Sequence, residues 1–277
     1  MRALRLHAVG DPASLAIEEL DDPHPGPGEA LVRVHAAAIT RDELEWPADR
    51  MPATPSHELS GVVAAVGDGV DEFAAGDEVF ALTPFDHDGV AADLAVVPAS
   101  VLAPKPASLG HVASAAIPLP ALSAWQGLFD HGRLAEGESV LIHGARGVVG
   151  AFAVQLARWR GADVIESEAD AEAGGLDLVF DTGGGERLER SPALLREGGR
   201  LVSVATEPPR AGGIGSVYFV VEPRHAQLVE LARLADLGAL RPDVDAVFEL
   251  ADAREAFERS LRRDRRGKIV LRVAGRA

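Results

Sequence analysis

The chain has 277 residues, of which 47% are hydrophobic and 25% charged, as expected for a globular protein of one large or two ordinary domains. Its formal net charge of −16 argues against nucleic acid and anionic membranes as partners, because a polyanion would be repelled. The sequence contains no cysteine, which excludes disulfides, thiolate catalysis and cysteine-ligated zinc. It shows neither a signal-like apolar start nor a bilayer-length apolar run, so the default expectation is a cytoplasmic location.

The first third of the chain predicts a compact β-rich domain. Proline and glycine punctuate it, and the alternating apolar stretches ALVRVHAAAI and LSGVVAAVG indicate short strands between turns. From about Ala113 the pattern changes, since ASAAIPLPALSAWQGLFDHGRL is typical of helices that follow a proline-rich entry. The stretch ESVLIHGARGVVGAFAVQLARWRG then indicates a strand, a glycine turn and a helix, the start of a βαβ pattern.

Two further buried strands follow, LDLVFD at Leu176–Asp181 and GRLVSVA at Gly199–Ala205, separated by the helix-like stretch ERLERSPALLREG. After GSVYFVV, the stretch HAQLVELARLADLGAL has apolar residues at helical spacing, and the tail indicates a strand, a helix and a strand. The predicted class is therefore α/β, with a β-rich domain, a doubly wound parallel sheet and a C-terminal return.

The glycine turn has the context that a dinucleotide-binding turn needs. Gly144, Gly147 and Gly150 follow the strand Val140–His143 and open an apolar helix, so the backbone amides of the turn, Val148 and Val149 included, could approach a pyrophosphate. The alternative is a glycine turn that serves only close packing of helix and sheet. Arg146 lies inside the turn, where it could contact a phosphate or remain a solvated loop charge.

At this point the chain resembles the medium-chain dehydrogenase/reductase superfamily and, within it, the zinc-free quinone oxidoreductases of the zeta-crystallin type. The resemblance runs along nearly the whole chain and includes PGPGEALVRVHAAAITRDEL, PSHELSGVVAAVG, AAIPLPALSAWQGLF, VLIHGARGVVGAFAVQLA, DLVFDTGGG and RGKIVLRV. It implies a GroES-like catalytic domain built from residues 1–115 and 246–277, and a Rossmann nucleotide-binding domain at 116–245. It also implies hydride transfer from a reduced nicotinamide to a quinone or an α,β-unsaturated carbonyl, with an apolar small molecule as substrate.

The zinc-dependent branch of the superfamily is rejected on residues. Thr40 stands where that branch has its first cysteine ligand, and Ser56-His57-Glu58 keeps only the histidine–glutamate pair of the metal motif. A catalytic zinc needs about three protein ligands, so no metal is expected. His57 is then either a polar group that lines the substrate pocket or a buried histidine with its hydrogen bonds satisfied.

The family's nicotinamide and substrate pocket is carried over residue by residue. Candidate catalytic residues are Thr40, which replaces an asparagine common in the quinone reductases, Ser123, whose alternative role is a helix N-cap, and Tyr218, which could donate a proton or simply pack. Trp46 and Trp125 could cover an aromatic acceptor, with core packing as the alternative for Trp125. The remaining cofactor positions fall on Asp181, Thr182, Gly183, Val204, Ala205, Phe219, Val220 and Val221.

The predicted Rossmann domain is short by about one βα unit. After RWRGADVIESE the chain passes to GGLDLVFD, where the family has a further helix and strand. GADVI could be the second or the third strand of the family; we prefer the second, because this removes an edge unit and keeps the order of the other strands. An extended chain from Glu166 to Gly175 could span about 30 Å, enough to reach the next strand, or could include one helical turn.

This shortening bears on the cofactor. The carboxylates after GADVI, among them Glu166, Glu168 and Asp170, would repel a 2′-phosphate, so Glu168 is the candidate that binds a ribose hydroxyl. NADP is the family's usual cofactor; these carboxylates favour NAD, and binding could be weak or absent. A cyclase, isomerase or lyase, or a cofactor-free pseudoenzyme, therefore stays open beside the reductase. The β-rich run IGSVYFVV favours a homodimer, the alternative being a strand covered within its own subunit.

Overall fold

The computed structural model describes residues 1–46 and 49–273, which form two compact units. The first contains Met1–Leu119, Pro223–Asp236 and the chain from Pro242 onward; the second contains Pro120–Glu222 and Leu237–Arg241. The division into domains at 115/116 and 245/246 stays a prediction, and residues 274–277 of its last segment lie outside the described residues. The segment His225–Asp236, which that division assigns to the Rossmann domain, belongs to the first compact unit.

The strands, numbered in chain order, are β1 Arg2–Leu6, β2 Leu15–Glu19, β3 Glu29–Ile39, β4 Glu58–Val66, β5 Glu78–Leu82, β6 Leu94–Pro98, β7 Ala103–Pro104, β8 Ser139–His143, β9 Asp163–Ile165, β10 Leu176–Asp181, β11 Leu195–Ser203, β12 Gly215–Tyr218, β13 Val244–Glu249 and β14 Lys268–Arg272. The α-helices are α1 His111–Ala115, α2 Pro118–Trp125, α3 Val148–Arg160, α4 Glu186–Arg190, α5 His225–Asp236 and α6 Ala253–Leu261. A π-helix, Gln126–His131, continues α2. In the described part of the chain, no helix has the length and apolar character needed to cross a membrane.

The first unit is built on a mixed, mostly antiparallel sheet in the order β13-β14-β3-β4-β5-β7, with β6 also paired to β3. The C-terminal strand β14 runs antiparallel to β3, so the two ends of the chain share one sheet. Alternate residues of β14 face opposite sides, as the pleat requires. Ile269 and Leu271 join the main core with Phe257, whereas Val270 packs with Ala36 and Ala38.

The second unit is a five-stranded parallel sheet in the order β12-β11-β10-β8-β9. Its strands are apolar on both faces, as expected for parallel strands covered on both sides, and Leu141, Val179 and Leu201 lie in one core cluster. The predicted α/β class with a doubly wound parallel sheet is confirmed. Strand β11 begins at Leu195, earlier than the predicted Gly199, because its pairing with β10 continues across an irregularity at Leu176/Leu178.

The parallel sheet is shortened at the edge that the sequence predicts, next to β9. Strand β9 pairs parallel with β8 and occupies the edge position, so GADVI is the second strand of the family pattern. Between β9 and β10 the described chain has one short turn of 3-10 helix at Glu168–Asp170, where a complete unit would have a helix and a strand. The order of the remaining strands is unaffected, because only an edge position has been removed.

Candidate functional site

The glycine turn joins β8 to α3 in the geometry that close backbone approach demands. Gly144 has φ +76°, and a Cβ built there would lie 2.4 Å from Thr182 Oγ1. At Gly150 a Cβ would lie 2.0 Å from the carbonyl oxygen of Gly144, so a side chain would push helix and turn apart. Gly147 is the N-cap of α3, and its N–H donates to the Gly144 carbonyl oxygen at 2.7 Å. The first N–H groups of α3 have no helical acceptor partners of their own, which suits this end to an anion.

A cavity of about 550 Å³ lies at the carboxyl ends of β8 and β9, and we call it the polar cavity. The structure brings three predicted cofactor residues together there, Gly144, Arg146 and Glu168. The other lining residues are His143, Ala145, Glu166, Ser167, Asp170 and Arg187. Parallel sheets bind their ligands at this end and where the strand order reverses, as it does here between β8 and β10.

The two carboxylate oxygens of Glu168 differ in their hydrogen bonding. Its Oε2 accepts from Arg190 Nη2 at 3.4 Å, while Oε1 is buried without a hydrogen-bond partner among the described residues, 3.6 Å from His143 Nδ1. His143 is itself buried, which lowers the pKa of its imidazole, and its Nε2 lies 2.9 Å from Ser191 Oγ. A neutral imidazole leaves Oε1 of Glu168 able to accept a hydrogen bond from a ligand.

The predicted nicotinamide-side residues follow the carboxyl ends of β10, β11 and β12. Asp181 is fully buried; its Oδ2 accepts from Ser203 Oγ at 3.0 Å and from the Gly184 N–H at 2.9 Å, and Oδ1 lacks a partner among the described residues. The Val204 N–H donates to the Asp181 carbonyl oxygen, and the Phe219 N–H to that of Ser203. These bonds tie together the three segments Asp181–Gly183, Val204–Ala205 and Phe219–Val221.

Other predicted residues of the second unit lie in different settings. Ser123 is buried inside α2, so the alternative role of N-cap is wrong. Tyr218 ends the edge strand β12 and is 38% exposed. Trp125 packs against Trp159. Trp159 lies near the C-terminal end of α3, whereas the glycine turn is at the N-terminal end of that helix. The structure does not bring Trp125 to the polar cavity.

In the first unit, Thr40 belongs to a cluster that we call the buried charge cluster: Thr40, Glu43, Glu58 and Lys268. Lys268 Nζ donates to Thr40 Oγ1 at 3.0 Å and makes a short contact with Glu58 Oε2. Glu58 Oε1 accepts from the Leu119 N–H at 2.9 Å, and the Thr40 hydroxyl donates to Oε2 at 3.4 Å. Both carboxylate oxygens of Glu58 therefore have donors, as a buried charge requires.

Glu43 is the fourth member and a different kind of carboxyl group. It is buried, and this burial raises its pKa to about 8, opposed by the nearby Lys268. Its Oε2 accepts from the Thr40 N–H at 3.1 Å, and Oε1 has no partner among the described residues. Glu43 is accordingly protonated at neutral pH.

His57 lies in an aromatic group with Trp46 and Phe85. Its ring centroid is 5.8 Å from Trp46 and 5.3 Å from Phe85, while Trp46 and Phe85 are 5.1 Å apart. His57 is 5% exposed, and Nδ1 lies 3.2 Å from Thr83 Oγ1. Burial, reinforced by Arg50, lowers its pKa to about 4. His57 is thus a buried, uncharged histidine that also packs on Trp46.

The donor set at the family's zinc position does not fit the metal. Thr40 and Glu58 both contact the Lys268 ammonium, which already places a cation beside them. Nδ1 of His57 lies beside Thr83 instead of Glu58. Across residues 1–46 and 49–273, no three histidine, aspartate or glutamate side chains are grouped so as to hold a metal ion.

Sequence reasoning missed several residues of these sites. Lys268 is one of only two lysines, and its place in RGKIVLRV could have singled it out, but its partner Glu58 is 210 residues away. His143 ends β8 next to the glycine turn, a position that could have marked it as a lining residue. Glu43 and Phe85 carry no comparable sequence signal, because only the fold makes the one buried and brings the other to His57.

Comparisons with known proteins agree with this architecture. Residues 26–107 match the family model of the alcohol dehydrogenase GroES-like domain, and residues 155–271 match that of the zinc-binding dehydrogenase. A solved structure described as an alcohol dehydrogenase superfamily protein from Novosphingobium aromaticivorans superposes with a TM-score of 0.88 at 29% identity, covering 99% of this chain and 100% of that one.

Two relatives place the chain more closely. "Probable zinc-binding oxidoreductase, mitochondrial" of Arthroderma benhamiae is 30% identical over 303 aligned positions, covering 91% of each chain. That alignment is longer than the 277 residues of this chain, which therefore lacks part of the relative's length. "Quinone oxidoreductase" of Rattus norvegicus is 33% identical over 70% of this chain and 60% of the relative. The chain is an oxidoreductase that belongs to the medium-chain dehydrogenase/reductase superfamily, in its quinone oxidoreductase branch.

Proposed function

We propose that the protein is a zinc-independent, NAD(P)H-dependent reductase of quinones or α,β-unsaturated carbonyls. The observation that carries the proposal is a pair of buried carboxylate oxygens, Glu168 Oε1 and Asp181 Oδ1, that have no partner in the described part of the chain and lie in the same unit as the glycine turn. Buried acceptors of this kind are costly unless a ligand supplies the donor. The hydroxyl groups of a dinucleotide's riboses are donors of the right kind.

The residues present fit a dinucleotide. The glycine turn and the start of α3, with Gly144, Gly147, Val148, Val149 and Gly150, would hold the pyrophosphate. The segments Asp181–Gly183, Val204–Ala205 and Phe219–Val221 would hold the nicotinamide side. A bound reduced nicotinamide would supply the hydride, so the protein needs only to position the cofactor and the acceptor. Arg146 lines the polar cavity within the turn and would offset phosphate charge.

The polar cavity favours NAD(H) over NADP(H). Three carboxylates line it, Glu166, Glu168 and Asp170, against Arg146 and Arg187. Glu166 is paired with Arg158 at 2.7 Å, which removes part of its charge, but Oε1 of Glu168 stays open to a hydroxyl donor. A carboxylate at this position accepts a ribose hydroxyl and repels a 2′-phosphate.

On the acceptor side, the aromatic group around His57 suits an uncharged planar molecule. Trp46 and Phe85 provide the apolar surface, and the pKa of about 4 keeps the imidazole of His57 neutral at physiological pH. Of the candidate catalytic residues, Thr40 has its proton directed to Glu58 and also accepts from Lys268. A role of Thr40 in polarising the acceptor would therefore draw on the Lys268 charge. Ser123 and Tyr218 stay candidates for hydrogen bonding and proton donation.

A second candidate function rests on the shortened sheet. With β9 at the edge and only a 3-10 turn before β10, the described residues provide no third strand and no helix to cover an adenine. This favours weak dinucleotide binding and keeps open a cyclase, isomerase or lyase, or a pseudoenzyme, in the same fold. Turnover of a substrate without any nicotinamide would establish this alternative.

Calorimetric titration with NADH and NADPH tests the proposal. We expect NADH to bind more tightly than NADPH, and Gly147→Val to abolish binding by displacing the pyrophosphate. Glu168→Arg should reverse the preference between NADH and NADPH. Glu172→Arg is the matched control and should leave the preference unchanged, because it makes the same change of charge outside the lining of the polar cavity. Absence of binding by both cofactors would refute the reductase.

We also propose that the protein forms a homodimer through β12. This strand lies at an edge of the parallel sheet, where an open row of backbone groups can pair with a second copy. Tyr218 and Val220, at 38% and 60% exposed, lie at its end. Sedimentation of the wild type and of Ser216→Pro measures the oligomeric state, because the Ser216 N–H points to the open edge, opposite to the Phe219 N–H that bonds β11; a monomeric wild type would contradict the proposal.

A further inference from the structure

A second cavity, of about 360 Å³, lies in the second unit away from the glycine turn, and we call it the aromatic cavity. Its lining includes Trp125, Phe129, Arg133, Leu134, Trp159 and Arg160. Trp159 and Arg160 end α3, whereas Gly147 caps its start, so the helix length of about 18 Å separates this cavity from the turn. Its volume is within the range of small-molecule sites.

Three aromatic rings form one wall of the aromatic cavity. Trp125 and Phe129 meet edge to face at 4.9 Å, and Trp159 lies 6.1 Å from Trp125 and 6.3 Å from Phe129. Trp159 is 41% exposed although it is a large apolar side chain. Such rings offer flat apolar surface, which favours a planar aromatic body over a branched aliphatic one.

The backbone at this cavity is irregular in two places. Phe129 lies in the π-helix Gln126–His131. Helices of this type are rare in proteins, and those that occur are often found at functional sites. Arg133 follows with φ +51°, a left-handed conformation uncommon for a side chain of its size. Conformational strain of this kind persists where the surrounding structure holds it, often at ligand sites. Both irregularities position residues that line the cavity.

The charge of the lining selects the ligand. Neither Arg133 nor Arg160 forms an ion pair or hydrogen bond with a described residue, although the chain carries a net charge of −16 and neighbouring Arg158 is paired with Glu166. An aromatic cage can bind a cation, but two guanidinium groups and no lining carboxylate oppose one here. Guanidinium groups instead match carboxylates in paired hydrogen bonds.

We propose that the aromatic cavity is a binding site for a planar aromatic carboxylate, independent of whether the polar cavity binds a dinucleotide. The rings contact the aromatic body, and Arg133 with Arg160 bind the carboxylate. Two arginines are needed because the C-terminal end of α3 and the exposed Glu136 near Gly161 both oppose an anion.

Titration calorimetry with 2-naphthoate, and with uncharged 2-naphthalenemethanol as its matched ligand, tests the proposal on the whole chain. We expect 2-naphthoate to bind at least 10-fold more tightly than the alcohol. The double variant Arg133→Gln/Arg160→Gln should remove that difference while leaving the alcohol's affinity unchanged, and Glu136→Gln should strengthen 2-naphthoate binding about two-fold.

Trp159→Ala should weaken both ligands at least 10-fold, and Trp159→Phe, which keeps a ring, should restore most of the affinity. Leu261→Ala in the first unit, which truncates another exposed apolar side chain outside the aromatic cavity, is the matched control and should change neither ligand's affinity. The proposal is overturned if 2-naphthoate binds no better than the alcohol, or if Trp159→Ala leaves both affinities unchanged in a protein whose melting temperature matches the wild type.

Discussion

Glu58 of the first unit differs from two carboxylates of the second unit, Glu168 and Asp181, in how its oxygens are hydrogen-bonded. Glu58 has a donor for each oxygen and a lysine cation beside it, so its charge is satisfied by the chain itself. Glu168 and Asp181 each keep one buried oxygen without a partner among the described residues. The contrast indicates that Glu58 serves to hold the fold, whereas Glu168 and Asp181 keep hydrogen-bonding capacity for a ligand. Glu43 of the first unit also has one oxygen without a partner among the described residues, but burial raises its pKa to about 8, which favours its uncharged form.

The largest expected effect comes from breaking the satisfied pair. Lys268→Met leaves Glu58 as an uncompensated buried charge, and we expect a loss of about 3–5 kcal/mol in the free energy of unfolding. Urea denaturation measures it. Adding Glu58→Gln to Lys268→Met should recover most of the loss, because the buried charge is then gone. A loss below about 1 kcal/mol in the single variant would show that the pair does not hold the fold.

A smaller effect concerns pH and the protonated carboxyl of Glu43. Because the pKa is about 8 in the folded chain and 4.5 in the unfolded chain, its stabilisation is complete below pH 4.5 and is lost as pH rises toward 8. Between pH 7 and 8 stability should fall by roughly 1 kcal/mol. Glu43→Gln should flatten this decline, and urea midpoints at the two pH values measure it.

That pH window separates Glu43 from the histidines of the same unit. His57 and His111 both have a pKa lowered to about 4 from 6.5, in each case chiefly by burial, so they are neutral in the folded chain and largely neutral in the unfolded chain above pH 7. Their contribution has the opposite sign: it is lost as pH falls from 6.5 toward 4. An equal slope in wild type and Glu43→Gln above pH 7 would contradict the buried, protonated state of Glu43.

The smallest stability effect is expected for Asp181 of the second unit. Asp181→Asn keeps an oxygen toward Ser203 and Gly184 and changes only the unpartnered atom, so unfolding should change by less than about 1 kcal/mol. The affinity for NADH should fall about 10-fold, because a hydroxyl would lose a charged acceptor. Calorimetry and denaturation on the same sample separate the two. A loss of stability without a loss of NADH affinity would contradict the proposal that Asp181 keeps its free oxygen for a ligand.

Local patterns predicted the fold well. The glycine turn, the buried strands and the position of GADVI at the sheet edge all follow from runs of residues that are contiguous in sequence. Local patterns also predict the polar-cavity residues Arg146 and Glu168, because each follows the end of one of two adjacent parallel strands.

The residues that sequence reasoning missed depend on distant contacts or on irregular backbone. No sequence period announces that Lys268 reaches Glu58, or that Trp159 on α3 faces Trp125 at the end of α2. The π-helix likewise follows α2 without a change of composition that would distinguish it. The assignment of Trp125 to the substrate pocket rests on the family resemblance alone, whereas its neighbours are visible only in three dimensions.

The contact between Glu58 and Lys268 also has a consequence for how the protein is made. A ribosome releases the chain from its N-terminus, so Glu58 emerges long before β14, and the whole of Pro120–Glu222 is synthesised in between. Until β14 has been synthesised, β3 can pair only with β4 and β6, and Glu58 lacks the Lys268 cation. The second unit is contiguous apart from Leu237–Arg241, and all of it precedes β14 in the chain. The first unit can therefore complete its main sheet only after nearly all of the second unit has been synthesised.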